Sequence, residues 1–498
     1  MKSRLILSVL LIGGITMLNA QTYKANVPES IKTPDVVKTE LLGDLEFFDG
    51  LPSEETVKKA YDFLDVSRSS EAFLNGIPAA SIYGFLRGIK EAGANPGDVI
   101  IAQELTNARS LLLTPQTTTP YGFAEIDVKE EPQVIIVPPM ILGGIDNAYF
   151  LHVGDVGLTG PDAGKGGKYL LVGPDYKGEI NEKDYTAVYH TKTYRHWMFM
   201  RTFVKDGDIE ASIQGLKNTF SIHPLSLDAN PPKQKVVLVS GKQFNTIHAN
   251  NFEFFEEINN VIQYEPANAF NPEFVGLLAS IGIQKGEEFA PDARMKKLMI
   301  EGVAIGNATA RSILFSPRNM DFYFYPGERQ WFSPFAFAKS NFLDRGARLI
   351  DSRIMFHYYA TGITPAMSNP MVGKGSTYLA VVRDSKGEYL DGGNTYKVTL
   401  PAPIPAANFW SFMVYDSQTR SILETDQKTG GVDSKNPKIK ANKDGSYDVY
   451  FGPKAPKGQE GNWVQTMPGK GYNVLLRLYG PTEAWFDKSW VPGDFEVK

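Results

Sequence analysis

The sequence predicts a multidomain α+β protein that is predominantly β, and three observations carry that expectation. The chain has 498 residues, more than one hydrophobic core usually organises. Apolar residues recur at helical spacing in two separate stretches, near the start of the mature chain and again in its middle. The remainder is built of short β-type runs punctuated by Gly and Pro.

The elements follow in order. A polar leader runs to about Thr39, and Gly50-Leu51-Pro52 turns the chain into a helix that Ser53 can cap, with Val57, Ala60, Tyr61 and Leu64 on one stripe. Further helices are expected over Ile82 to Ala92 and around Leu105. From Leu111 the texture becomes β, with runs at Gln133 to Val137, Tyr169 to Val172 and Lys235 to Val239. Helical spacing returns near Asn250 to Ile262, Pro272 to Ile281 and Pro291 to Ile313. Beyond about Gly375, strands are expected at Tyr378 to Arg383, Thr395 to Leu400, Phe409 to Tyr415, Tyr447 to Phe451 and Tyr472 to Tyr479. Turns such as Asp391-Gly392-Gly393 and Asp444-Gly445 separate them, the pattern of a sandwich or jelly roll. The expected boundaries are a leader over 1–20, an N-terminal domain over 21–240, a helical connecting region over 241–370 and a C-terminal domain over 371–498.

The N-terminus reads as a secretory signal. Lys2 and Arg4 precede the apolar stretch Leu5 to Ile12, and Leu18-Asn19-Ala20 places a small residue before Gln21. The apolar run is shorter than the roughly 18 to 20 residues of a spanning helix, so a cleaved leader is favoured over an anchor. The expected location is periplasmic or secreted. The chain has no Cys, which removes lipid attachment through Cys, disulfides and a thiol nucleophile. Removing the leader takes two bases from a chain that is already net −5, which argues against a sequence-independent nucleic-acid binder.

Standard motifs fail on spacing. Gly160-Pro161-Asp162-Ala163-Gly164-Lys165 is one residue short of a P-loop, and Gly166 stands where Ser or Thr is needed. Asn442 to Gly445 lacks the acid ladder of a calcium loop, and neither a zinc-protease motif nor a Gly-x-Ser-x-Gly elbow is present. His190 and His196 would sit about 20 Å apart on a strand and diverge by about 240° on a helix, so they cannot share an ion locally. His152, His223, His248 and His357 are isolated in sequence. No cofactor is expected, and a metal site only if folding brings distant residues together.

One region concentrates ligand-recognising chemistry. Between Tyr121 and Arg201 lie Asp127, Asp146, Tyr149, Asp155, Lys165, Lys168, Tyr194 and Arg195, interleaved with glycines whose N–H groups would be accessible. Arg and Lys there could hold an anion while Tyr stacks on a ring. If a ligand is hydrolysed, Asp127, Asp146 or Asp155 is the expected base, with Arg195 or Arg201 meeting developing negative charge. The structural alternative is an interface laced by ion pairs. At the C-terminal end, Trp410, Tyr415, Arg420, Trp463, Arg477, Tyr479 and Trp485 form the densest aromatic–Arg set. Alternation puts Val474, Leu476 and Leu478 on the core face of their strand and Arg477 on the other. There Arg477 is expected to stack on Trp463 or Tyr479, or to pair with an acid such as Asp487, as a clamp or as the floor of a site.

These residues resemble a known pair of families. Leu113 to Ala124, Leu142-Gly143-Gly144-Ile145-Asp146, Gly160 to Leu171, Asp175 to Glu179 and Thr193-Tyr194-Arg195-His196-Trp197 are similar to the domain of unknown function twelve fifty-four. Ala360 to Met367, Phe409-Trp410-Ser411, Asp416 to Arg420, Tyr447 to Pro453, Gly461-Asn462-Trp463 and Leu476 to Pro481 are similar to its companion, twelve fourteen. The resemblance implies helices with a β-barrel-like part in the N-terminal domain and a jelly-roll-like C-terminal domain. It carries over no catalytic residue.

The functional expectation is an exported protein of unassigned activity that recognises a small polar or aromatic-bearing ligand at a cleft between β domains, with its hydrolysis left open. Tyr121, Tyr149, Lys165, Lys168, Tyr194, Trp463 and Arg477 are the expected binding residues. The alternative is a non-catalytic envelope or assembly protein whose motifs are domain and subunit interfaces. Expected partners are an unidentified small molecule but neither nucleic acid nor, once the leader is gone, a membrane span. A homo-oligomer is left open.

Overall fold

A computed structural model describes residues 27–204, 207–336 and 339–498. The leader read over residues 1–20 lies outside them. The chain divides into two compact units, Met1–Phe63 and Leu64–Lys498. In the first, an antiparallel ribbon joins Val36–Thr39, Gly43–Phe48 and Leu51–Pro52. The unit boundary falls within the helix Glu54–Glu91, whose first turn Ser53 caps by accepting from the Thr56 amide at 3.2 Å.

That helix absorbs two elements expected to be separate, since Ile82 to Ala92 continues it. The second half runs flat against the backbone of Asn245 to His248. A Cβ on Gly84 or Gly88 would lie 2.7–2.8 Å from the Thr246 or Asn245 carbonyl oxygen, so only glycine permits that approach. The helix expected around Leu105 does not form. That segment is loop, and its apolar residues are too few for a buried stripe.

Among the described residues, the N-terminal β part of the second unit has two larger sheets and a two-stranded one that pairs Ser110–Leu111 with Phe244–Asn245. A six-stranded sheet runs Val236–Leu238, Val99–Ile101, Tyr121–Asp127, Arg195–Arg201, Leu142–Asn147, His152–Gly157. A four-stranded sheet runs Ala187–His190, Gly167–Val172, Gln133–Val137, Ser221–Pro224. Ala124, Ile126, Ile135, Tyr169, Met198 and Met200 share one core.

The helices Glu253–Tyr264, Pro272–Ala279, Ala293–Phe315 and Ile350–Tyr359 follow. Ala293–Phe315 is long and apolar enough to cross a membrane by composition alone. Here Leu298 is buried, and Met299, Val303, Ala310 and Leu314 lie in the helical core. A Cβ on its Gly302 would come within 2.4 Å of Ser69 and one on Gly306 within 2.9 Å of Phe73, the close approach of packed helices.

Beyond Gly375, two four-stranded sheets share a core. One runs Ser376–Val381, Tyr472–Pro481, Ala406–Asp416, Gly431–Asp433, and the other Trp463–Gln465, Tyr447–Gly452, Tyr396–Leu400, Glu496–Val497. Val398, Phe412, Phe451, Val474, Leu476 and Leu478 lie in that core. The fold is thus a mixed, mostly β multidomain arrangement, as the sequence predicts.

Candidate functional site

Period-two alternation builds the site from both β parts. On Arg195–Arg201, Met198 and Met200 enter the core between the two N-terminal sheets, so Trp197, Phe199 and Arg201 emerge on the opposite face. There Arg201 lies opposite Tyr121 and Phe199 opposite Phe123 in register. On Tyr472–Pro481 the alternation holds as expected: Val474, Leu476 and Leu478 are in the sandwich core, while Arg477 faces away, in register with Tyr378 and Ser411. That second face is not solvated, because Arg477 is itself buried.

A strap of chain, Leu112 to Thr118, lies between the two faces. Arg477 Nη2 donates to the Thr114 carbonyl at 2.8 Å and Tyr415 Oη to the Pro115 carbonyl at 2.7 Å. The Thr114 amide donates to the Arg420 carbonyl at 2.9 Å and its Oγ1 to the Tyr359 carbonyl at 3.1 Å. These bonds hold Thr114 at φ +39°, a left-handed conformation that a β-branched residue avoids without such support. Buried Gln116 closes the turn: its Oε1 accepts from the Thr119 amide at 2.9 Å and its Nε2 donates to the Thr119 carbonyl at 2.8 Å.

Between strap and strands lies a cavity of about 70 Å³ whose walls include Phe85, Phe123, Trp197, Phe199, Tyr359 and Tyr378. Two cations face it. Arg201 sits 5.4 Å from the Tyr121 ring centroid, and Arg477 sits 5.8 Å from that of Tyr378 and 6.0 Å from that of Tyr415. Arg201 Nε and Arg477 Nη1 are buried without a hydrogen-bond partner. Among the described residues neither guanidinium forms an ion pair. Burial raises the Tyr415 and Tyr479 phenols above the ordinary tyrosine value, so these rings stay neutral and cannot balance the charge. The two guanidiniums also repel each other.

Asp146 and Asp155 form a separate group around His152. His152 Nδ1 is 3.7 Å from Asp146 Oδ1 and its Nε2 is 3.6 Å from Asp155 Oδ1. Both Asp146 oxygens are buried without a hydrogen-bond partner, and burial pushes this carboxyl up to about 6 against the pull of His152. Asp146 is in register with Trp197, four residues from Arg201, or about 13 Å along the strand. Among the described residues, no group of three or more His, Cys, Asp or Glu is placed to hold a metal ion.

Asp127, Arg195 and Tyr194 make a third group. Arg195 Nε lies 3.4 Å from Glu125 and 3.9 Å from Asp127, and its guanidinium stacks 3.8 Å over Tyr264, whose hydroxyl donates to Asp127. The Tyr194 amide donates to Glu265 at 2.5 Å. This group ties the ends of two central strands to the helix Glu253–Tyr264 and to Glu265 just beyond it.

The other expected residues are dispersed. Lys165 is exposed, Lys168 pairs with Asp228 at 2.6 Å, and Trp463 donates its indole N–H to the Gly452 carbonyl at 2.9 Å in the other C-terminal sheet. Tyr149 lines a different cavity. Two expectations need correction. Arg477 meets Tyr378, Tyr415 and the strap, in place of Trp463 or Asp487. The glycine loop does not offer its N–H groups freely either: Asp162 accepts from Gly157 at 2.7 Å and from Gly166 at 2.9 Å, so a carboxylate of the chain already fills the nest. Tyr378 and Tyr359 escaped the sequence reading. The signal for Tyr378 was its place opposite Arg477 on paired strands.

The chain matches the models described as Protein of unknown function (DUF1254) over residues 97–224 and Protein of unknown function (DUF1214) over residues 375–483. No curated protein matches it. Its fold is similar to the crystal structure of the VPA0106 protein from Vibrio parahaemolyticus, at 19% identity and TM-score 0.55, over 87% of this chain and 100% of that one. A putative uncharacterized protein from Burkholderia cenocepacia aligns at 10% identity and TM-score 0.39, over 88% of this chain and 96% of that one.

Proposed function

We propose that this chain, which carries the DUF1254 and DUF1214 domains in that order, is an exported binding protein that takes a small carboxylate-type anion with a short apolar body into the cleft between its β parts. The carrying observation is the pair of guanidiniums, Arg201 and Arg477, turned toward one aromatic cavity with a free N–H on each. A buried cation without a counterion costs several kcal/mol, and an anionic ligand would offset that cost. Planar guanidiniums suit a carboxylate, and the walls suit a short hydrocarbon. A cavity of about 70 Å³ limits the ligand to a few heavy atoms beyond its head group. Export rests on the basic start, the Leu5 to Ile12 run and the small residue at Ala20.

The test is a thermal-shift series with acetate, butyrate and uncharged butyramide on the mature protein and on Arg201→Gln. Butyrate should raise the melting temperature of the parent, butyramide should not, and the variant should lose the response. A butyrate shift that persists in Arg201→Gln, or no shift with either anion, would overturn the reading.

A further inference from the structure

A second cavity, of about 360 Å³, is lined by Phe150, a ring that packs on Trp197 of the cleft wall. The two meet edge-on, with ring centroids 5.7 Å apart at 83°, so these two rings form part of the wall between the cavities. The new cavity is several times larger and is also walled by aromatic rings. Tyr149 packs against Phe270 at 5.8 Å and Phe274 at 5.3 Å, and Phe342 adds a further ring. Its size falls in the range of pockets that enclose small organic ligands, about 300–1,000 Å³.

Its polar groups converge. Arg348, Arg353 and His357 all line it. Arg353 Nη2 is held by Asn75 Oδ1 at 2.6 Å, which leaves its buried Nε without a partner. His357 stacks on Phe150 at 5.3 Å and is 2% exposed, and its Nδ1 is likewise buried and unpartnered. Among the described residues neither Arg348 nor Arg353 forms an ion pair; Arg348, which donates to the Asn341 carbonyl, and the lining carboxylate Glu273 both lie at the exposed mouth. The two arginines disfavour each other's charge. A site with two cations, an imidazole and aromatic walls suits a monoanion with a flat ring, because the rings gain from stacking and a single charge is the least costly to desolvate.

We propose that this cavity is a separate binding site for an aryl carboxylate of bicyclic size, with the carboxylate on Arg353 and Arg348 and the ring among Phe150, Phe270 and Phe274. It does not depend on the proposal for the cleft. Calorimetric titration of 2-naphthoate and uncharged 2-naphthamide into the full mature chain tests it. Binding of 2-naphthoate should exceed that of the amide, weaken about tenfold to a hundredfold in Arg353→Gln, and stay within about twofold in Arg201→Gln. Ala269→Trp, which fills the cavity from its lining, should abolish it. Should that variant fail to fold, Arg348→Gln replaces it, and the same weakening is expected. Absence of binding, or loss in Arg201→Gln with none in Arg353→Gln, would overturn this inference while leaving the butyrate result to decide the cleft.

Discussion

The two cavities solve one problem at two scales. Each sets a pair of arginines without an ion-pair partner among the described residues against aromatic rings, yet the cleft holds about 70 Å³ and its neighbour about 360 Å³. The difference lies in what bounds them. The cleft is closed by a strap hydrogen-bonded to Arg477, Tyr415 and Tyr359, and every such bond fixes its width. The larger cavity is bounded mostly by phenylalanines on helices and loops that pack by contact, with Tyr149 and Arg353 fastened at one side to Asn75. Rigid polar fastening therefore selects for size in the first, and apolar surface selects for shape in the second.

The comparison can be broken at their shared wall. Trp197→Ala removes a buried indole, and a loss of about 3–5 kcal/mol in denaturant unfolding is expected. In that variant 2-naphthoate binding should become sensitive to Arg201→Gln as well as Arg353→Gln. Continued insensitivity to Arg201 would mean that the wall does not rest on this ring.

The acid beside the wall gives the next effect. Asp146 has a carboxyl at about 6 when folded against an ordinary value of 3.8, so its ionisation opposes folding. That cost is absent below about pH 4, grows as pH rises to about 6 and is constant above. Asp146→Asn should therefore gain on the parent across that window, by a swing on the order of 3 kcal/mol. His152, which Asp146 holds up, should titrate lower in the variant by NMR. A difference independent of pH would contradict this.

Arg477 and Arg201 separate fastening from binding. Arg477→Gln loses the bond to Thr114, and a stability loss of about 1.5–3 kcal/mol is expected. Arg201→Gln gives up no hydrogen bond at Nε and relieves an unbalanced charge, so its unfolding free energy should stay within about 0.5 kcal/mol or rise. Equal losses in the two would erase the distinction.

Much of this architecture was readable from period and punctuation. The strands around Val134, Leu171, Val398 and Leu476 were visible because alternation or a bounded apolar run marks them. Arg477 was placed on the correct face for the same reason. What alternation cannot say is whether the second face meets water. Arg201 and Arg477 are far apart in sequence and converge only through packing on the Thr114 strap, which reads locally as an ordinary Thr/Pro loop. The glycine loop misled in the opposite direction, because nothing local marks Asp162 as turning inward to fill it. Asp127 and Arg195 read as site chemistry, yet they are paired across register positions on adjacent strands.

The most direct test of the anion site is a crystal structure of the protein grown with and without butyrate. The expected result is carboxylate density within about 3 Å of Arg201 Nε and Arg477 Nη1, with the short chain against Trp197 and Phe199. Density for water alone in the cleft at saturating butyrate, with both guanidiniums unchanged, would contradict the account.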